Sequence, residues 1–466
     1  MAKIYLYPLS ALVIFSFILG ISSCDGSVGT KSERFLYTSS NDPTGNNIII
    51  LSIGEQGQLS QIGNIPTGGN GDADDGDFDG QNSLHILPDT NYLLAVNSGD
   101  SKGKAGIAEG NGSVSVFEIN KETGIINRID QDPATSSIDN KDSEGVRPVT
   151  ISSYSIDGRI WVMVGNQYHN PVFVGPSREG GLANTRLGDP EDEIVKTGLR
   201  NITAFEFVDG ILTSPATVAI YESGLNGGPA NISFSPDGAK VAVSTWGVPH
   251  FAEDGFPDAG VQLPSRIYVY DTSVSKSGLE LVDERFFEKQ GIAGTIGFSW
   301  SPDSEIVFAA NANLAQVPES LEDFSVTVIS TGDQPELLNN SEVPPFGDAA
   351  CWTLLAPDGM RLYIASFALN IVSFFEVFAP SGLTLMQTLV RQESPILDTK
   401  DMFMTEDNKY FYVNGPLMSH TVSIYEVDSD GFLTEIASSP FLVPSAHPGG
   451  VNVSPESQAF LGLVGY

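Results

Sequence analysis

A repeat that runs through most of the chain constrains its fold more than any other feature. Each copy has an apolar strand, a turn of the Ser-Pro-Asp-Gly kind and a second apolar strand ending near Asn or Ser, as in ISFSPDGAKVAVS (Ile232–Ser244). The acidic turn residues are Asp89, Asp157, Asp237, Asp303, Asp358, Asp407 and Glu456. They are spaced 68, 80, 66, 55, 49 and 49 residues apart. The last two intervals are near the blade length of a β-propeller, and the longer ones require inserted loops.

Each copy continues into a third strand of alternating character and then, after a short Gly turn, a fourth. Ser113–Ile119 (SVSVFEI), Asn201–Val208 (NITAFEFV) and Thr421–Val427 (TVSIYEV) are such third strands. Four antiparallel strands joined by tight turns make one blade, and a single blade cannot bury its own faces. The sequence therefore predicts an all-β fold, a seven-bladed β-propeller with four antiparallel strands per blade over residues 34–466.

The two ends of the propeller are expected to share one blade. The N-terminal part supplies strands at Arg34–Thr38 and Asn47–Ile53 without an innermost strand, and the C-terminal part supplies a leftover inner strand at Gly450–Ser454. Pairing the two closes the ring and leaves no free edge between first and last blades. Gln458–Tyr466 also has the pattern of a second strand and competes with Arg34–Thr38 for the same position.

The N-terminal segment has the pattern of an export signal. Lys3 is the only charge among the first 23 residues, and an apolar run follows it. The run ends in Ile21-Ser22-Ser23-Cys24, which resembles a bacterial lipobox, in which the Cys is lipidated. We expect a lipoprotein signal peptide (1–23), lipidation at Cys24, a tether (24–33) and a place in the bacterial cell envelope, at the outer membrane or facing the periplasm. The alternative is a plain signal peptide cut beside an incidental Cys.

Strand order places the long connections on one face of the propeller. The turns between first and second strands and between third and fourth strands are short and share one face, whereas the other connections share the opposite face. The long loops on that opposite face, called the long-loop face below, are Thr67–Asn82, Ser98–Gly112, Asp130–Arg147, Gln167–Arg200 and Trp246–Ser265. Binding residues concentrate on long loops held by a rigid scaffold, so this face and the channel mouth are the expected site.

Charge excludes several classes of partner. The chain has 23 Lys and Arg against 58 Asp and Glu, a net charge of −35 at pH 7. Nucleic-acid binding is excluded because phosphate requires a basic face, and the membrane is contacted through the N-terminal lipid only. Acid also collects in the long loops, since Asp72–Asp79 holds five Asp and no base. This disfavours phosphate-bearing substrates and favours cations.

The strongest chemical motif is GDADDGDFDGQNS (Gly71–Ser83). Its Asp-x-Asp-x-Asp-Gly core matches the start of a calcium loop, in which alternating carboxylates converge on the ion and Gly permits the sharp bend. The expected ligands are Asp75, Asp77, Asp79, the carbonyl of Gln81 and Ser83. Ile86 stands at the twelfth position, which excludes the helix–loop–helix version of the site. The alternative is a solvated Gly/Asp hinge.

Two histidines are candidates for chemistry on the long-loop face. His169 (NQYHNP) and His250 (WGVPHF) each follow a second strand, and each could serve as a general base or a metal ligand. The alternative is a loop His bonded to backbone. His85, His420 and His447 receive no role. Cys351 and the four Trp, at 161, 246, 300 and 352, are expected to pack in the interior.

The repeats FSPDGAKVAVS, CWTLLAPDGMRLYIAS and YFYVN…TVSIYEVDSDGFLTEI resemble the seven-bladed lactonase-like propellers of the 6-phosphogluconolactonase and carboxymuconate-cyclase type, in a secreted lipoprotein branch. The resemblance covers roughly residues 34–455 and implies lactone hydrolysis. Family enzymes tend to carry His and Arg just before the inner strands. The matching positions are Gly80-Gln81-Asn82, Pro229-Ala230-Asn231 and Ala350-Cys351-Trp352. None of these is His or Arg, and only Arg147 and Lys400 are basic at comparable inner-strand starts.

Two functions therefore remain open. The first is an envelope-anchored binding or scaffold propeller that recognises a carbohydrate, peptide or protein on its long-loop face, with Ca²⁺ as a candidate stabilising ion. The second is a hydrolase of the lactonase class acting on an uncharged lactone, with Arg147, His169 or His250 in the mouth and Asp or Glu as base. The missing His and Arg motifs favour the first.

Overall fold

Seven antiparallel sheets follow one another around a ring. The chain was examined in a computed structural model, which describes residues 34–42, 44–71, 80–99, 112–168, 198–221, 227–251, 257–312, 324–345, 347–378, 381–394, 397–443 and 461–466. Within them no helix has the length and apolar character needed to cross a bilayer.

The strands fall into blades in chain order, with the first and last strands in the same blade. Blade 1 contains β1 (Arg34–Ser39), β2 (Asn47–Ile53) and β3 (Leu59–Pro66). Blade 2 contains β4 (Leu84–Ile86), β5 (Tyr92–Asn97), β6 (Ser113–Ile119), β7 (Ile126–Ile129) and β8 (Lys141–Asp142). Blade 3 contains β9 (Pro148–Ile156), β10 (Arg159–Asn166), β11 (Asn201–Val208) and β12 (Ile211–Ile220). Blade 4 contains β13 (Pro229–Phe234), β14 (Lys240–Thr245), β17 (Arg266–Val274) and β18 (Leu279–Glu288).

The remaining strands complete the ring. Blade 5 contains β19 (Thr295–Trp300), β20 (Ile306–Asn311), β21 (Val326–Ser330) and β22 (Leu337–Ser341). Blade 6 contains β23 (Ala350–Leu355), β24 (Arg361–Ser366), β25 (Ile371–Phe378) and β26 (Gly382–Val390). Blade 7 contains β27 (Met402–Met404), β28 (Tyr410–Gly415), β29 (Thr421–Val427), β30 (Leu433–Glu435) and β31 (Phe441–Leu442). The last strand, β32 (Leu461–Gly465), belongs to blade 1. The predicted seven-bladed propeller is confirmed.

Ring closure joins the two ends of the propeller, as predicted, but with a different inner strand. β32 pairs antiparallel with β1 and takes the innermost position of blade 1. The sequence assigned that position to residues 450–454, which lie outside the described residues. The assignment was wrong because apolar alternation identifies a strand without saying which partner it pairs with. The competing segment, Gln458–Tyr466, contains the strand that closes the ring.

A second departure lies within blade 4. The loop Trp246–Ser265 carries a two-stranded hairpin of β15 (Val248–Phe251) and β16 (Pro257–Leu263), which pairs with neither of its neighbours in the blade. The sequence predicted a loop there because the segment has no apolar alternation, and Pro249, Pro257 and Pro264 interrupt it.

Apolar side chains pack between blades rather than inside a single sheet. One buried cluster joins Ile49 and Leu51 of blade 1 to Tyr412 and Ile424 of blade 7. Such clusters form because each strand of a blade turns alternate side chains toward its two neighbouring blades. All four Trp and the free Cys351 are buried, as predicted.

Short polar motifs fix the turns on the face opposite the long loops. In blade 5 the Ser301 hydroxyl donates to the Asp303 carboxylate at 2.5 Å, and that carboxylate also accepts from the Glu305 N–H at 3.2 Å. The hydrogen bond from Ser301 holds the pKa of Asp303 below its ordinary value. Ser235 and Asp237 repeat this arrangement in blade 4. The Asp of the repeat is therefore a turn-forming residue.

A buried ion pair fixes the junction between blades 6 and 7 near the long-loop face. Arg391 Nη1 lies 3.5 Å from Asp398 Oδ2, and both side chains are fully buried. Asp398 Oδ1 accepts hydrogen bonds from the N–H groups of Leu417 and Met418 at 2.9 and 2.8 Å. The pair thus holds the β28–β29 connection against the segment that enters blade 7.

Candidate functional site at the channel mouth

The inner strands line a narrow central channel and are bonded to one another by polar side chains. The Ile232 N–H of β13 donates to the Thr150 hydroxyl of β9 at 3.2 Å, and the Phe234 N–H donates to Ser152 at 3.1 Å. Ser299 of β19 and Thr353 of β23 share a hydroxyl hydrogen bond of 2.8 Å. These small hydroxyl residues let neighbouring inner strands approach closely, which leaves little open width.

Residues 80–82, called the strap below, cross the mouth of this channel before entering β4. The Trp352 indole N–H donates to the Gly80 carbonyl at 3.2 Å. The Gln81 side chain donates to the Thr353 carbonyl at 3.0 Å and accepts from the Thr353 N–H at 3.2 Å. Both partners belong to blade 6, although the strap leads into blade 2. The strap therefore reaches across the axis.

The far side of the strap is bonded to blades 3 and 4. The Gln81 N–H donates to the Ala230 carbonyl at 3.1 Å, and the Asn82 amide donates to the Asn231 side chain at 2.9 Å. The Asn82 carbonyl accepts from the Ile151 N–H at 2.9 Å. A side chain at Gly297 of blade 5 would meet Gln81 Oε1, which shows how closely the strap fits.

A cavity of about 90 Å³ lies on the channel axis beneath the strap. Small-molecule sites typically enclose about 300–1,000 Å³, so this cavity is well below the usual size. Its polar lining includes Gln81, Asn82, His85, Thr353 and Asp401. An organic ligand of ordinary size would have to contact residues outside this cavity as well.

His85 and Asp401 are the two titratable groups on this cavity. His85 Nε2 lies 2.7 Å from the Ser153 hydroxyl, and burial lowers the pKa of His85 to about 4. Asp401 Oδ2 accepts the Gly462 N–H at 3.1 Å, and burial raises the pKa of Asp401 to about 6. Each shift arises because the deep channel disfavours the charged form.

The sequence assigned no role to either of these residues. His85 alternates with apolar neighbours in β4, so only the ring geometry brings it to the axis. Asp401 is preceded by Lys400, which drew attention as a base. Asp401 lies near β32 only because that strand closes the ring, and the sequence assigned the closing strand to a different segment. The one local signal was a carboxylate directly before an otherwise apolar inner strand.

The basic residues noted at inner-strand starts, Arg147 and Lys400, are buried in the scaffold. Arg147 is completely buried, and its guanidinium donates to the Gln167 side-chain carbonyl. Lys400 is also completely buried, with its ammonium 4.9 Å from the ring centres of both Trp352 and Phe367. Burial lowers the pKa of Lys400 well below its ordinary value. Neither side chain is presented to a ligand at the surface.

The structure describes only part of the calcium motif. Asp75, Asp77 and Asp79 lie outside the described residues. The Gln81 side chain is bonded to Thr353, and the Ser83 side chain is buried next to Gly462. Among the described residues no group of three or more His, Cys, Asp or Glu side chains could hold a metal ion. Calcium binding stays a prediction.

Three other predicted residues cannot be placed in the site. His169 and Cys24 lie outside the described residues. His250 lies on β15 of the blade 4 hairpin, where only the backbone is described. Of the predicted catalytic set of Arg147, His169 and His250, only Arg147 has a described side chain, and the set as a whole stays a prediction.

Comparison with solved structures relates the whole ring to known propellers. The periplasmic gluconolactonase of Pseudomonas aeruginosa matches with a TM-score of 0.58 at 15% identity, covering 88% of this chain and 97% of that chain. A proposed 6-phosphogluconolactonase from Bacteroides fragilis matches with a TM-score of 0.60 at 15% identity, covering 94% of this chain and 99% of that one. This chain has the fold of the lactonase-like seven-bladed propellers.

A third structure agrees with the first two. A proposed 6-phosphogluconolactonase from Bacteroides uniformis matches with a TM-score of 0.58 at 13% identity, covering 89% of this chain and 97% of that chain. The sequence matches no protein-family model and no curated protein. At such identities the likeness establishes the fold, and function has to be argued from this chain's own residues.

Proposed function

We propose that this chain is an exported propeller, anchored in a bacterial envelope through lipid on Cys24, that binds a ligand or partner on its long-loop face. The observation that carries the proposal is the closed channel mouth. Small-molecule sites typically enclose about 300–1,000 Å³, whereas the channel cavity has about 90 Å³. We therefore expect a ligand of ordinary size to contact the loops outside the channel.

The proposed ligand is a carbohydrate, a peptide or a protein surface that is neutral or cationic. The chain's net charge of −35 repels phosphate-bearing compounds, and within the described part of the chain Arg147 and Lys400, which precede inner strands, are buried. Direct tests are glycan-array and peptide-array binding by the purified full chain, with phosphorylated glycans and phosphopeptides as matched negatives. We expect signal on neutral or cationic members, and signal confined to phosphorylated members would contradict the proposal.

A lactonase of the channel type is the second candidate. It is supported by the neutral His85 and the elevated pKa of Asp401 on one cavity, since perturbed titratable groups often mark reactive sites. In that case opening the strap would be part of the cycle, and His85 would be within reach of a water molecule as a general base.

A lactone panel separates the two candidates. Uncharged and phosphorylated lactones are assayed with the wild-type chain and with His85→Gln, His169→Ala, His250→Ala and Gln81→Ala. We expect no turnover above the uncatalysed rate in any of them. Turnover by the wild type that is lost in a His variant would establish the lactonase and contradict the binding proposal.

Calcium binding is proposed as a stabilising element of the long-loop face, with Asp75, Asp77, Asp79, Gln81 and Ser83 as its ligands. Isothermal titration calorimetry with Ca²⁺ on the full chain tests it. We expect binding heat in the wild type and its loss in an Asp77→Ala, Asp79→Ala variant, because each carboxylate contributes charge and coordination. Equal heats in both proteins would remove calcium from the proposal.

A further inference from the structure

The outermost strand of each blade presents a free edge. An edge strand carries unpaired backbone N–H and C=O groups, so it can pair with another strand unless charge, proline, bulges or short length prevent it. The outer strands among the described residues are β3, the pair β7 and β8, β12, β18, β22, β26 and the pair β30 and β31. They differ sharply in how well they are protected.

Most of these edges carry an evident obstacle. β18 (LELVDERFFE) has five charged residues, and β12 contains Pro215 and two register shifts. β7 has only four residues, and its Arg128 donates to the carbonyls of Thr67 and Ile138 beside it. β30 and β31 have three and two residues. β3 is neutral, but it contains Gly63 and ends in Pro66.

β26 is the least protected of these edges, since it is interrupted only by one bulge and by Gly382 at its first position. Its nine residues (GLTLMQTLV) include no charge and no proline, and no described strand pairs with its outer edge. Thr384, Met386, Thr388 and Val390 are exposed along it. The neighbouring β22 (LLNNS) is also uncharged.

The edges of blades 5 and 6 form one continuous surface. The Asn339 amide of β22 donates to the Ser381 carbonyl just before β26 at 2.9 Å. The exposed side chains of β22 and β26, called the neutral strip below, are Leu338, Asn340, Thr384, Met386, Thr388 and Val390. The strip carries no charge, although the chain has a net charge of −35.

We propose that the neutral strip is a self-association surface, on which β26 pairs antiparallel with β26 of a second copy around a two-fold axis. A basic partner would gain nothing from a strip without carboxylates. A second copy, by contrast, supplies a strand of the same length and neutrality, with apolar Met386 and Val390 to bury. An isologous contact is self-complementary, and antiparallel pairing of one strand with itself satisfies this geometry.

Salt dependence distinguishes this association from one based on ion pairs. Two copies that each carry −35 repel one another at long range, and added salt screens that repulsion. Dimerisation through a neutral strip should therefore strengthen as NaCl is raised, whereas association through charged contacts should weaken.

Sedimentation velocity on the purified full chain tests the proposal across a range of concentration and NaCl. The test variant is Met386→Glu with Thr388→Glu, which places like charges on both edges of the pairing. The matched control is Ile62→Glu with Asn64→Glu on β3. Ile62 is 41% exposed and Met386 39%, and both lie at a bulge of an outer strand.

We expect a dimer for the wild type and the β3 control, and a monomer for the β26 variant. Thermal melting curves of the three proteins exclude misfolding as the cause of any difference. A wild type that remains monomeric at every concentration and salt level overturns the proposal, as does a β26 variant that remains dimeric. Equal loss of the dimer in both variants would also overturn it.

Discussion

Arg391 and Asp398 show how a single buried pair can organise a surface loop. Neither side chain reaches solvent, and Asp398 accepts hydrogen bonds from the N–H groups of Leu417 and Met418 in addition to its contact with Arg391. The guanidinium is further bonded to the hydroxyls of Thr421 and Ser423 at 3.1 and 2.8 Å. With so many partners, the pair is better viewed as a loop anchor than as a stabilising salt bridge.

Replacing one partner of this pair should be costly. Asp398→Asn leaves the Arg391 charge buried without its nearest carboxylate counter-charge, and we expect a loss of about 3–5 kcal/mol in the free energy of unfolding. Urea denaturation measures it. Glu305→Gln is the control, since its pair with Lys240 is solvent-exposed at 67% on the Glu side and exposed pairs are worth about 0–1 kcal/mol. Similar losses in both variants would show that Asp398 is not an anchor.

The buried Asp401 makes stability depend on pH in a defined direction. Its pKa is raised from 3.8 to about 6 in the folded chain, so the unfolded chain releases this proton more readily. The stabilisation is therefore complete below about pH 4 and is lost as pH rises through about 6. The Asp401→Asn variant retains an acceptor for the Gly462 N–H but has no carboxyl proton to titrate.

We expect Asp401→Asn to gain stability relative to the wild type between about pH 4 and about pH 7. Urea denaturation of both proteins across that range gives the difference. A difference that stays constant with pH, or that moves in favour of the wild type, would contradict the raised pKa of Asp401.

The role of a residue could be predicted where its partners are close in sequence. It could not be predicted where its partners are brought near only by the closure of the propeller ring. The Ser301–Asp303 turn could be predicted because its partners lie two residues apart. The burial of Arg147 could not, because an Arg before an inner strand has the same local sequence whether it faces a ligand or the interior. His85 and Asp401 are 316 residues apart in the sequence, and only ring closure brings them to one cavity.

At the scale of elements, the closing strand β32 depends on close packing at its start. Gly462 has a φ of +72°, and a Cβ there would lie 2.6 Å from the Ser83 hydroxyl and 2.9 Å from Leu84. Gly158, in the turn between β9 and β10, has a similar φ of +76° and no atom within 4 Å of such a Cβ. The two glycines share a left-handed backbone conformation and differ in how closely other atoms pack against them.

Gly462→Ala should therefore destabilise more than Gly158→Ala. The left-handed backbone costs about 1–2 kcal/mol in either variant, and overpacking at Gly462 should add about 1–3 kcal/mol. Equilibrium unfolding measures both. Equal losses would mean that the closing strand can shift away from Ser83 without cost.

The strap is the second element whose contacts can be tested. Gln81→Ala removes both hydrogen bonds to the Thr353 backbone. We expect faster amide hydrogen exchange in peptides that contain Thr353, because an amide that loses its acceptor is less protected. Peptides from β29 serve as the internal control. Unchanged exchange at Thr353 would show that the strap is held by its other contacts.

Strands were more predictable than their partners. The sequence placed β2, β6, β11 and β29 with the bounds that the structure has, because alternating residues flanked by turn residues specify a strand locally. The strap could not be predicted, because its side-chain amides bond to strands of distant blades. The inner strand of blade 1 was assigned to the wrong segment for the same reason, since its pairing with β1 joins distant parts of the chain.

For the whole molecule, the dominant electrostatic fact is self-repulsion. With a net charge of −35, the compact chain concentrates negative charge that the unfolded chain spreads out. We expect the melting temperature to rise with NaCl at neutral pH, because salt screens this repulsion. Differential scanning calorimetry checks it. A melting temperature that falls with NaCl would indicate that surface ion pairs outweigh the net charge.

The closure of blade 1 places the two ends of the propeller side by side. Phe35 and Tyr466 exchange backbone hydrogen bonds of 3.2 and 3.1 Å. A short linker could therefore join position 466 to position 34, and the chain could be reopened in an exposed turn such as the one around Asp333. Such a circular permutant would keep every blade while moving the proposed membrane tether to a different side of the ring. The point of attachment, and hence the way the propeller is presented to its surroundings, could thus be chosen independently of the fold.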